Sequence, residues 1–170
     1  MKLRTLLFTM IFIPGLILGQ DMSVTKLFMD ETPLEIKLSI AIKDVKAITS
    51  DTVYTPYIMQ YKIGDVWDSI KVEVRARGEF RRRECYYPPL RVKIKKGAAK
   101  GTIFEGNKSL KLVMPCKQVK DNMLIMKEYI CYQMYEPITK YTFNTRLVNL
   151  EFTDLNSKKV TGVKFQGFFI

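Results

Sequence analysis

Three stretches of this chain alternate strictly between apolar and polar residues, a period that restricts each to a β-strand with one dry face and one wet face. The first is Leu34-Glu35-Ile36-Lys37-Leu38-Ser39-Ile40. In the second, Ile70, Val72 and Val74 share one side, and Lys71, Glu73 and Arg75 the other. The third sets Leu90, Val92 and Ile94 against Arg91, Lys93 and Lys95. Same-face neighbours on a strand stand about 7 Å apart. The third segment therefore carries a row of three cations above a strip of core.

The remaining elements follow from turn and helix signals. Residues 57–62 and 67–77 flank Gly64-Asp65, which predicts a β-hairpin with glycine supplying the turn. Residues 43–48 suit a short helix, 102–107 a turn, and 110–113 a strand that points Lys111 away from Leu110 and Leu112. Residues 121–135 form the one long helical pattern, opened by Asp121 or Asn122 as N-cap and ended by Pro137. Its broad apolar stripe is Met123, Leu124, Ile130, Cys131, Met134 and Tyr135, with Ile125, Tyr129 and Tyr132 as a second face. Lys127 falls inside the main stripe, where it either snorkels to the edge or pairs with a carboxylate. Residues 145–152 and 160–169 suit a hairpin around Asp154-Leu155-Asn156-Ser157. Together these predict an α+β fold: a twisted antiparallel sheet of six or seven strands packed against one main helix. The final apolar strand runs to Ile170 without a polar cap, as expected of an incomplete domain.

Positive charge is concentrated between residues 74 and 100. Arg75, Arg77, Arg81, Arg82, Arg83, Arg91, Lys93, Lys95, Lys96 and Lys100 face only Glu79 and Glu84, in a chain whose formal total is +11. Charge gathered this way makes a local field that attracts anions. A basic run is ordinarily a solvated face. Here Gly78 and Pro88-Pro89 divide it into strand, turn and strand, an arrangement that can aim several cations at one place.

Residues 1–19 suit a secretory signal, with Lys2 and Arg4 before an apolar core and Gly19 at the cleavage signal. That leaves residues 20–170 as a single domain with no later membrane-spanning segment. The expected location is secreted, periplasmic or cell-surface, which disfavours nucleic acid as a partner. In an oxidising compartment, three cysteines suggest one disulfide and one thiol. Cys85 precedes the Pro-Pro turn and Cys116 follows a strand, so these two are paired, leaving Cys131 as a small apolar group within the helix. With no histidine and dispersed cysteines, no metal site is expected. No Walker-type loop or nucleophile elbow is present.

The order of motifs across residues 70–170 resembles the amino-terminal part of the spore-coat-protein-H-like proteins, an exported group of atypical kinases. The pieces are Val74-Arg75-Ala76-Arg77-Gly78, Leu90-Arg91-Val92-Lys93-Ile94-Lys95, Asp121-Asn122-Met123-Leu124 with Lys127-Glu128, Arg146-Leu147-Val148-Asn149-Leu150 and Gly167-Phe168-Phe169-Ile170. The chain departs from that family in having Glu79-Phe80 after Arg-Gly and Lys127-Glu128 on the helix. The family's catalytic and metal-binding aspartates would lie beyond Ile170. The resemblance therefore implies a lobe that holds nucleotide phosphates but is inactive alone, with ATP and Mg²⁺ belonging only to a full-length protein.

The residues expected to hold an anion are Arg75, Arg77, Arg91, Lys93 and Lys111, with Lys127 and Glu128 as ion-pair support. An outward strand lysine is the ordinary reading of Lys93 or Lys111 taken singly, and Arg77-Gly78 equally suits a braced bulge. The alternative function is a non-enzymatic exported module that binds acidic polysaccharide or a membrane surface through its basic strands. A structural domain whose charge serves solubility alone is the third reading.

Overall fold

The alternating segments are strands, and their dry faces meet inside a closed barrel. The computed structural model describes residues 24–117 and 122–170, so the expected signal at 1–19 and Asp121 lie outside the described residues. The strands are β1 (Leu34–Ile40), β2 (Thr55–Ile63), β3 (Val66–Ala76), β4 (Leu90–Lys93), β5 (Ser109–Val113), β6 (Arg146–Asp154) and β7 (Val163–Phe169). Around the barrel they run β1-β2-β3-β4-β5-β7-β6. All neighbours are antiparallel except β1 and β6, which pair in parallel from Leu34 opposite Val148 to Ile40 opposite Asp154.

This corrects the expected α+β sheet packed against one main helix. The period of two specifies which face of a strand is dry but not which distant strand covers its edge. Here β1 and β6 cover each other's edges, and the sheet closes on itself. The interior is then filled by the strands' own side chains, among them Leu38, Met59, Tyr61, Val92, Leu112, Phe152 and Phe169, all nearly inaccessible. Phe104, from the turn before β5, meets Tyr61 edge-on at 5.0 Å.

The helices are short and lie outside: α1 (Lys26–Met29), α2 (Ile42–Ala47), α3 (Glu79–Glu84), α4 (Lys96–Ala99) and α5 (Asn122–Tyr135). Within α5 only Ile125 is fully buried; it packs with Tyr129 and Tyr132 against Val113 and Phe168. The helix thus uses the narrower of its two apolar faces. Met123, Leu124 and Met134 of the broad stripe are 68%, 64% and 66% exposed. Cys131 is also exposed, not a core residue.

Several local ties hold the barrel ends. Cys85 and Cys116 form the disulfide expected from the sequence. Arg146, buried at the start of β6, donates to the carbonyls of Leu27 and Thr32 and to Asp30 at 3.0, 3.1 and 2.7 Å. Asp154 accepts from Tyr86 Oη at 2.7 Å and from the backbone of Ile42 at 3.1 Å, fixing α2 to the end of β6. Burial and then that bond push the Tyr86 hydroxyl up to about 12. Gly167 on β7 runs directly beneath the carbonyl of Val113, leaving no room for a Cβ.

Candidate anion-binding site

Strand register brings the cations together. On β3, Val74 and Ala76 turn inward; on β4, Leu90 and Val92 do; on β5, Leu110 and Leu112 do. The outward residues between them fall in one row: Arg75 stands opposite Arg91, and Arg91 opposite Lys111. Arg77 continues β3 beyond its last paired residue, its amide bonded to the Pro89 carbonyl at 2.9 Å.

Beyond Arg77 the chain does not make the expected turn. Gly78 adopts φ +74°, a conformation that L side chains rarely take, and opens α3. The α3 arginines therefore project from a one-and-a-half-turn helix, with Arg82 donating to the carbonyl of Lys46 at 3.1 Å.

The row does not act as one unit. Arg75 Nη1 is held by Asp51 at 2.6 Å, and the guanidinium lies 5.5 Å from the centre of the Tyr54 ring. Lys93 is diverted to Glu73 at 3.3 Å, and Lys95 reaches the same carboxylate at 2.8 Å. Glu73 lies directly opposite Lys93 in the ladder, so the sequence's alternation contained this pairing once register was known. Lys127 is exposed and makes no ion pair among the described residues. Glu128 meets Arg81 at 3.7 Å rather than either strand lysine.

Arg77, Arg91 and Lys111 remain without a carboxylate partner among the described residues. Arg77 and Lys111 line a cleft of about 490 Å³ whose other walls include Arg81, Glu128, Tyr132 and Ile170. Arg91 is not a lining residue of the cleft but stands opposite Lys111 in the ladder, with Nε buried and unpartnered, as is Nε of Arg75. Burial, followed by the Arg91 guanidinium, lowers Arg77 from its ordinary value, and Arg81 and Arg75 push the same way. Burial likewise lowers Lys111, helped by Arg77 and Arg91. Both shifts have one meaning: these cations are partly desolvated and repel one another.

An oxyanion placed among them would relieve both penalties, since charge-assisted bonds to guanidinium are short and directional. The described residues include no group of three or more His, Cys, Asp or Glu side chains suited to a metal ion. Two carboxylates, Glu79 and Glu128, also line the cleft, and Glu128 is engaged by Arg81. The chain matches no protein-family model, no curated protein and no solved structure.

Proposed function

We propose that this protein is an exported, non-enzymatic module that binds an anionic polymer or surface through Arg77, Arg91 and Lys111. One observation carries the reading: three neighbouring, partly buried cations lack a carboxylate partner, and one of them holds an unpartnered buried donor. Like charges opposite one another on a sheet are destabilising by up to about 1 kcal/mol per pair. A fold that keeps them together without internal neutralisation is arranged for an external anion. The Cys85–Cys116 disulfide is in keeping with an oxidising compartment outside the cytoplasm.

A nucleotide phosphate is the second reading, supported by the spore-coat-protein-H-like motif order and by Glu128 facing the cleft from α5. It draws on the same cations and requires a carboxylate cluster for Mg²⁺, whereas the described residues include no group of three or more His, Cys, Asp or Glu suited to a metal ion.

The test is a titration with inorganic polyphosphate and with a sulfated polysaccharide at two salt concentrations. Arg91→Gln and Lys111→Gln should weaken binding and flatten its salt dependence. Lys96→Gln with Lys100→Gln removes equal charge elsewhere and should leave most of it. Equal losses from both sets would reduce the effect to net charge and refute a site. Competition by ATP at constant ionic strength, stronger than by triphosphate, would favour the nucleotide reading.

A further inference from the structure

The cationic cleft opens onto an apolar groove. Glu128 and Tyr132 line both, and the groove of about 420 Å³ continues along Cys131, Tyr135, Tyr141 and Phe143. Lys111 Nζ lies 4.7 Å from the centre of the Phe143 ring, so a cation marks the junction. Thr142 Oγ1, on the groove wall, is buried without a hydrogen-bond partner. Outside the groove, Met123, Leu124, Ile130, Met134 and Ile138 are exposed, forming an apolar surface along α5 and the segment after it that meets Tyr141 of the groove wall. Exposed apolar residues gathered in one place mark an interaction face. Lys127 stands within that stripe, extended toward solvent.

Resting on the anion-binding reading, we propose that the ligand is an anionic phospholipid presented by a bilayer. Its phosphate occupies the Arg77, Arg91 and Lys111 cluster, an acyl chain enters the aromatic groove, and α5 lies in the interface. Charge complementarity selects this occupant. The cations border the apolar groove on one side and Lys127 interrupts the stripe on the other. Interfacial helices combine an apolar face with basic residues in this way. The contact is peripheral: the outward positions of the paired strands β1 and β6, among them Glu35, Lys37, Asn149 and Glu151, are mostly polar, the reverse of a membrane-spanning barrel. No helix among the described residues is long and apolar enough to cross a bilayer.

The experiment is co-sedimentation with phosphatidylcholine vesicles with and without phosphatidylglycerol, alongside titration with soluble polyphosphate and size measurement by light scattering. Phosphatidylglycerol should tighten vesicle binding by roughly tenfold or more, as a few juxtamembrane cations do. Leu124→Glu and Met134→Glu alter exposed side chains. They should lower vesicle affinity by roughly tenfold while leaving polyphosphate binding unchanged. Arg91→Gln should weaken both. Equal binding to neutral and anionic vesicles, or vesicle binding indifferent to Leu124→Glu, overturns the proposal. So does a dimer that Leu124→Glu converts to monomer with vesicle binding intact, which assigns the face to a second copy. Retained polyphosphate binding without vesicle binding would overturn the lipid assignment alone; loss of both in the wild type would remove the anion site itself.

Discussion

Arg75 and Arg91 stand directly opposite one another on paired strands, and Nε of each is buried without a hydrogen-bond partner. Asp51 neutralises one end of Arg75. Among the described residues no carboxylate meets Arg91, whose next cross-strand neighbour is another cation, Lys111. The face thus carries a cation, Arg91, with no carboxylate set against it among the described residues.

The first consequence is a trade between stability and binding. Arg91→Gln removes a charge from between two like charges and keeps a polar side chain of similar reach. We expect it to stabilise the unliganded protein by about 0.5–1 kcal/mol, read as a higher denaturant midpoint, while weakening anion binding. A charge serving only solubility would show neither effect.

Binding should also depend on pH through Lys111. Its pKa lies below the ordinary 10.5, because burial and then Arg77 and Arg91 disfavour its charge. Affinity supplied by Lys111 is complete below that lowered value and lost as pH rises through it, before an ordinary lysine would titrate. Lys111→Arg, which stays protonated, should carry binding to higher pH. In the free protein the sign reverses: stability rises with pH between the lowered value and 10.5, because the unfolded chain then holds more protons. Titrations from neutral to alkaline pH, followed by calorimetry, check both slopes.

The Cys85–Cys116 bridge closes a loop across a separation of 31 residues that contains β4, α4 and β5. Chain entropy gives such a bridge a value of about 3–4 kcal/mol. Replacing both cysteines with alanine should lower stability by that order, measured by denaturant unfolding. Because Lys46 Nζ donates to the Cys85 carbonyl at 2.7 Å, α2 should loosen with it. Hydrogen exchange would register faster opening there than in β6.

Barrel closure has a narrow point at Gly167. A methyl there would strike the Val113 carbonyl, where β5 and β7 share only two register pairs, Leu112 with Phe169 and Val113 with Phe168. Gly167→Ala should cost about 1–3 kcal/mol by overpacking. The short β5–β7 ladder should lose amide protection before the longer β1–β6 pairing does.

Much of this architecture was legible because alternation is a local signal. The strand at Leu34–Ile40, the hairpin turning at Gly64-Asp65, and the inward Leu90, Val92 and Ile94 all follow from neighbouring residues alone. The parallel joining of β1 to β6 did not, since it links segments more than a hundred residues apart and leaves no mark on either. Helix α3 was hidden by its brevity and by arginines, which suit a helix or an exposed turn equally. For α5, apolar residues surround the axis almost evenly, so its pattern could not say that Ile125 and Tyr129 face the barrel and Leu124 does not. The site was half visible. Outward orientation of Arg91 and Lys111 followed from the period, whereas the capture of Lys93 by Glu73 and of Arg75 by Asp51 depended on register and on a distant loop.

The most direct measurement follows the arginine Nε–Hε resonances in a ¹⁵N-labelled protein during titration with pyrophosphate. The account predicts saturable shifts for Arg91, with Arg75 and Arg77 moving in parallel, while Arg83 on the exposed side of α3 changes little. Shifts spread evenly over every arginine, or confined to Arg81, Arg82 and Arg83, would contradict it.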